Sequence, residues 1–281
     1  MAAAVAVVTD STACLPPDLL ATTGIRVVPL RVAAGGLVSD DGPAALSGPL
    51  QAELRRGARL STASPAPAAF AAAYAAAAAA GAGAVVSVHL SAGLSGTVNS
   101  ATLAAAGAPV PVRVIDSRSL GMGLGFAALA AAEAAGAGGA LEDVAAAAAG
   151  WAARLRSFFV LDTLDQLAAG GRLDPGFPGA GSGLTIRLLL HLAQGKVAVL
   201  EKLRTTSAAV RRLEEVTAES AAGQPVDLAV QYLGDRDRGA ALAGRLERLI
   251  PQARHRYLAE AGPVILAHTG PGMLGAVVAP Y

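Results

Sequence analysis

Val85-Val86-Ser87-Val88-His89-Leu90 runs directly into Ser91-Ala92-Gly93-Leu94-Ser95-Gly96-Thr97, and this stretch decides the fold class. The first part is a short β-branched run and reads as a strand; the second is a small polar turn. An alanine-rich segment over Pro65–Ala80 precedes it and another over Gly96–Ala106 comes after it, both read as helices. Strand and helix in alternation are the pattern of a parallel α/β sheet, where each crossover needs a helix-bearing segment.

The same alternation extends outward in both directions. Further strands are predicted at Val5–Val8, Val112–Ile115, Phe158–Leu161, Leu228–Gln231 and Val264–Ala267. Further helices are predicted at Gly121–Ala135, Leu141–Leu155, Thr206–Ser220 and Arg238–Leu249. Val27–Val38 reads as a strand or hairpin interrupted by Gly35-Gly36, with Val38-Ser39-Asp40-Asp41-Gly42 as its turn, and the Gly- and Pro-rich Asp174–Gly183 reads as a loop. The 281 residues suit about two domains. The boundary is expected after residue 158, giving an N-terminal parallel-sheet α/β domain over 1–158 and a less regularly alternating α+β domain over 159–281.

Composition removes several classes of function. The chain is 53% apolar with a mean hydropathy of +0.50, which at first resembles a membrane protein. Much of that is alanine, and the longest run with an uncharged centre, Phe70–Leu90, is too weakly apolar to span a bilayer. It reads as a helix followed by a strand, and no integral membrane segment is expected. The first residues lack a basic region, and Asp10 arrives before a secretory core could form. Cys14 is the one cysteine, so there is neither an intrachain disulfide nor a cysteine metal cluster, and a cytoplasmic location is expected. A net charge of +1 with no dense basic run argues against nucleic acid.

The residues just beyond each predicted strand carry the chemistry. Thr9-Asp10-Ser11-Thr12 comes after the first, Ser91 to Thr97 after the second, Asp116-Ser117 after the third, Asp162-Thr163 after the fourth and His268-Thr269 after the last. Such residues cap helices, and for any single loop that is the simpler reading. Together they point to a polar site, because ligands of open parallel sheets bind beyond the carboxyl ends of the strands. Gly121-Met122-Gly123-Leu124-Gly125 departs from the dinucleotide-binding spacing and reads as glycines opening a closely packed helix; no P-loop is present. Ser95, Asp116 or Asp162, and His268 fall in the chain order of an α/β-hydrolase triad, although Thr97 stands where the nucleophile elbow requires glycine. A serine hydrolase using Ser95 and His268 is therefore the alternative reading. The other histidines are too scattered to imply a metal site, and His191 and His255 read as surface or structural. His268 precedes the rigid turn Thr269-Gly270-Pro271-Gly272, which would aim its imidazole; a ligand contact and a structural hydrogen bond are equally open on local grounds.

Taken together the motifs resemble the DegV family. The resemblance rests on Val8-Thr9-Asp10-Ser11-Thr12-Ala13, Leu60-Ser61-Thr62-Ala63-Ser64-Pro65, Leu90 to Thr97 and Ile115-Asp116-Ser117-Arg118. It continues through Leu167-Ala168-Ala169-Gly170-Gly171-Arg172-Leu173, Lys202-Leu203-Arg204-Thr205 and His268 to Gly272, in family order over nearly the whole chain. It implies a two-domain protein with its ligand site between the domains. The ligand would be one long-chain fatty acid, its tail buried and its carboxylate in a polar cluster. By position in the motifs, Thr62, Ser95 and His268 would contact the carboxylate, while Arg172 and Arg204 would face a partner, a separate ATP-dependent fatty acid kinase. The chain itself would have no catalytic residues, cofactor or metal.

The sequence also departs from the family pattern. Ser64 stands where the family usually has Gln before Pro65, and Ile186-Arg187-Leu188 replaces the frequent Ile-Lys-Pro. Between Arg172 and Arg187, Pro175, Gly176, Pro178, Gly179, Gly181 and Gly183 forbid the regular helix the family tends to have there. The surface facing the kinase and the cover over the acyl chain are what these changes touch.

Overall fold

The computed structural model describes residues 4–42, 49–162, 166–167, 170–172 and 187–281. The Gly- and Pro-rich segment 174–183 lies outside the described residues. The chain divides into two compact units, one of Met1–Ala153 with Gly262–Val264, the other of Arg154–Ala261 with Ile265–Tyr281. The division falls ahead of residue 158 because the strand Arg156–Val160 is paired within the second unit's sheet.

The first unit contains β1 (Val5–Asp10), α1 (Pro17–Thr23), β2 (Arg26–Val28), β3 (Arg31–Ala34), β4 (Leu37–Asp40), α2 (Pro49–Arg55), β5 (Ser61–Ala63) and α3 (Pro67–Ala79). It goes on through β6 (Ala84–His89), α4 (Thr97–Ala105), β7 (Val112–Asp116), α5 (Met122–Gly136) and α6 (Leu141–Arg154). Its main sheet has the order β2-β1-β6-β7 and every pairing in it is parallel. Each crossover among β1, β6 and β7 carries helix, as the alternation predicts. Val8, Val28 and Val85 from the sheet pack with Phe70, Tyr74 and Ala77 of α3 and with Ala101 and Ala104 of α4. At α5, a Cβ on Gly125 would come within 2.9 Å of the Ala13 carbonyl, so close packing explains that glycine of the segment.

A small antiparallel sheet, β4-β3-β5, lies within the same unit. Gly35 and Gly36, both at positive φ, form the β3–β4 turn. Residues 38–40, expected to be a turn, instead belong to β4.

The second unit contains β8 (Arg156–Val160), β9 (Arg187–Ala193), β10 (Lys196–Leu203), α7 (Thr206–Ala221), β11 (Val226–Tyr232), α8 (Arg236–Leu249), β12 (Ala253–Glu260), the later part of α9 (Pro263–Thr269), whose first two residues belong to the first unit, and β13 (Leu274–Pro280). Its sheet order is β10-β9-β8-β13-β11-β12, antiparallel except for the β11–β12 pair. Leu213 and Val216 of α7 and Leu242 and Leu246 of α8 bury against it.

One predicted element has the wrong type. Val264–Ala267 is not a strand but part of α9, so His268 does not come after the last strand. It stands near the C-terminal end of a short helix, ahead of β13. A short apolar run does not distinguish strand from helix by periodicity. Here Pro263 occupies the first helical position, which its fixed φ suits. The Val264 N–H, one of those a helix start leaves without an intrahelical partner, donates to Asp41 Oδ1 at 3.0 Å.

Candidate functional site

In the first unit the carboxyl end of β1 is anchored by charge. Asp10 Oδ1 accepts from the backbone N–H of Thr12 at 3.1 Å and from its hydroxyl. Asp10 Oδ2 accepts from the Leu90 N–H at 3.0 Å and meets His89 Nδ1 at 3.0 Å. The Asp-Ser-Thr turn thus fastens the end of β1 to the end of β6, from which the Ser91–Thr97 loop departs. That loop closes on itself, with the N–H groups of Leu94 and Ser95 donating to the Ser91 carbonyl.

Ser95 is half-buried at the end of this loop. Its Oγ lies 3.0 Å from Ser64 Oγ and 2.9 Å from Thr97 Oγ1. Thr62 is on β5, with Ala63 between it and Ser64, and β5 pairs antiparallel with β3 so that Thr62 is opposite Val32. The structure therefore brings Ser95 into a hydroxyl cluster with Ser64, a residue that stands out in the sequence only as a departure from the family pattern.

Asp41, expected in a turn, is a buried anchor. Its N–H donates to the Leu30 carbonyl at 2.7 Å, and its carboxylate takes hydrogen bonds from the Ser11 hydroxyl and Val264 N–H. Burial pushes the Asp41 carboxyl above the ordinary value, and the nearby Asp10 charge adds to this, while the two hydrogen bonds oppose it. Val264 itself is buried with Leu30, Val32, Ala34 and Leu50.

In the second unit His268 and Arg172 come together around Gly170. A Cβ on Gly170 would sit 2.8 Å from His268 Nδ1 and 3.1 Å from the Gln166 carbonyl, so only glycine lets the imidazole lie so close. Gly171 has φ +64, the left-handed region that glycine enters without strain. Arg172 is exposed, and its guanidinium donates to the Gly170 carbonyl. Burial pushes the His268 imidazole below its ordinary value and the Arg172 charge pushes it further. At neutral pH the ring is uncharged, with one N–H to donate. The Gly-Gly-Arg motif is therefore a built seat for His268, and its glycine spacing is the sequence signal that points to it.

Arg204 stands apart from these groups, exposed in the turn between β10 and α7. Arg187 is a strut: its Nη1 donates to the Asp162 carbonyl at 2.9 Å and its Nε to Thr206 Oγ1 at 2.9 Å.

The hydrolase alternative finds no support in this geometry. Ser95 is not among the residues at positive φ, the strained conformation of a nucleophile elbow. Asp116 Oδ1 is engaged by the backbone N–H groups of Ala92 and Arg118, and Asp162 Oδ2 is 3.7 Å from Arg238 Nη1. The groups that move the His268 pKa are burial and a cation; no carboxylate is among them. Among the described residues no group of three or more His, Cys, Asp or Glu side chains could hold a metal ion, and no helix is long and apolar enough to cross a membrane.

The model of the DegV family, described as a family of uncharacterised proteins, matches residues 4–281. The chain belongs to the DegV family. A DegV domain-containing protein of Streptomyces coelicolor is 46% identical over 274 residues, covering 98% of each chain. Among solved structures, a DegV family protein from Thermus thermophilus, described by its fatty acid binding, is 33% identical with a TM-score of 0.87 over 99% of each chain. Bacillus subtilis DegV, described as a fatty acid binding protein, is 28% identical with a TM-score of 0.90 over 100% of each chain. The mixed α/β architecture, a parallel-sheet first unit and a mixed-sheet second one, is thus a DegV architecture.

Proposed function

We propose that this chain binds a long-chain fatty acid and presents its carboxylate to a separate ATP-dependent fatty acid kinase in the cytoplasm. The observation that carries the reading is the match, over essentially the full length, to DegV proteins described as fatty acid binding. In this reading the chain is a lipid carrier and not itself an enzyme, and it needs no cofactor.

The energetics suit such a division of labour. A long acyl chain of roughly 14 methylenes, at about 0.8 kcal/mol each, gives on the order of 11 kcal/mol on burial. Association costs about 4–15 kcal/mol, so the tail decides whether the ligand binds and the head group decides how. A buried carboxylate is costly unless hydrogen-bonded. The hydroxyls of Thr62 and Ser95 and the uncharged imidazole of His268 supply donors without neutralising it. One carboxylate oxygen then remains to attack the γ-phosphorus of ATP on the partner, with ADP leaving and an acyl phosphate formed. Arg172 and Arg204, both exposed, are the cations this reading gives to the partner-facing surface.

Native mass spectrometry of the protein purified from a bacterial host tests the reading. A copurified fatty acid is the expected result. Protein that is repeatedly empty and also fails to take up added fatty acid would overturn it. Addition of the kinase with ATP should then give acyl phosphate, trapped as a hydroxamate.

A further inference from the structure

A hydroxyl group has one proton and two lone pairs. Ser95 Oγ has two hydroxyl neighbours, Ser64 Oγ at 3.0 Å and Thr97 Oγ1 at 2.9 Å. The Thr97 N–H also donates to Ser95 Oγ, at 3.4 Å a longer contact than that of either hydroxyl. Thr97 is fully buried, Ser64 and Ser95 half-buried, so Thr97 is held while Ser95 keeps an open side. If both neighbours donate into Ser95, its lone pairs are filled and its own proton can only point outward.

We propose that Ser64 and Thr97 are positioning residues that turn the Ser95 hydroxyl into an outward-facing donor for an anionic head group. This rests on the reading that Ser95 contacts the fatty-acid carboxylate. Donation by two hydroxyls polarises the third, and a hydrogen bond to a carboxylate gains more from this than one to an uncharged oxygen.

The test measures binding of a long-chain fatty acid and of the fatty alcohol of equal length to Ser64→Ala, Thr97→Val and Ser95→Ala, singly and combined. Removing either neighbour should weaken fatty-acid binding about five-fold and alcohol binding distinctly less. In the Ser95→Ala background the same changes should have no further effect. Ser64→Thr and Thr97→Ser keep the hydroxyl and should restore binding, which separates positioning from packing, as should unchanged thermal midpoints for Ser64→Ala. Equal losses for acid and alcohol, or losses that add to that of Ser95→Ala, would overturn the proposal. If Ser95→Ala weakens binding but neither neighbour matters, only this inference falls. If Ser95→Ala changes nothing, the carboxylate assignment of Ser95 falls with it.

Discussion

His89 Nδ1 lies 3.0 Å from Asp10 Oδ2 with both side chains at 0% exposure, so β1 and β6 are joined by a buried histidine–carboxylate pair. The other ring nitrogen, Nε2, is 2.6 Å from Ser87 Oγ, which accepts from the Tyr74 hydroxyl at 2.9 Å. Burial pushes the Tyr74 phenol up, which keeps it a donor. Tyr74, Ser87, His89 and Asp10 thus form one continuous buried chain of polar contacts.

Replacing Asp10 with Ala strips the acceptor from His89, Leu90 and Thr12 at once. Breaking a buried pair in this way costs about 3–5 kcal/mol. Urea unfolding should show a loss of that size, and a loss below about 1 kcal/mol would mean water or a neighbour takes over the donors. Ser87→Ala should cost less, about 1–3 kcal/mol, since it removes the partner of Nε2 while the Tyr74 hydroxyl keeps the Ala101 carbonyl at 3.4 Å.

Asp41 should leave a pH signature. Its folded-state pKa is raised by burial above the ordinary 3.8, so the fold holds this proton more tightly than the unfolded chain does. The protonated group therefore contributes stability that is fully present below 3.8 and is lost as pH rises through the raised value. Asp41→Asn keeps an oxygen for the Val264 N–H and removes the charge. The stability of Asp41→Asn relative to the unmodified protein should thus be greater at pH 7 than near pH 4. A difference independent of pH would show that the Asp41 carboxyl is not the group responsible.

His268 carries the opposite sign. Its pKa is lowered by burial and by Arg172, so its contribution to stability is present above 6.5 and is lost as pH falls through the lowered value. Arg172→Ala should move its NMR titration back toward 6.5 without reaching it, because burial, the larger cause, remains. A titration unchanged by the substitution would remove Arg172 from the electrostatics of the imidazole.

Legibility in the sequence divides by distance along the chain. The first three predicted strands, Val5–Val8, Val85–Leu90 and Val112–Ile115, reappear as β1, β6 and β7, because a buried parallel strand needs a β-branched run and its crossover a helix, both local signals. Val264–Ala267 looks like a strand locally because the acceptor for the N–H at the start of α9 is Asp41, 223 positions away. The antiparallel place of β13 between β8 and β11 is equally non-local. Motif positions single out Ser95, His268 and Arg172. They do not show that Ser64 touches Ser95 or that Gly170 lies under His268, because both are contacts between separate motifs.

Gly170 provides the sharpest test of how closely His268 is seated. Its φ is not in the left-handed region, so the backbone itself accepts alanine there. The obstacle is space: the added methyl would come within 2.8 Å of His268 Nδ1 and 3.1 Å of the Gln166 carbonyl. The imidazole must move, since the carbonyl is part of the backbone and yields less. Gly170→Ala should therefore shift the His268 resonances and weaken fatty-acid binding as much as His268→Ala does, about ten-fold or less, with little further loss when the two are combined. Gly171→Ala, next to it, faces open space but must hold φ +64, so it should lower stability by about 1 kcal/mol and leave the His268 resonances in place. If the two substitutions proved alike in both measurements, the close approach of His268 to Gly170 would not be what the Gly-Gly pair serves.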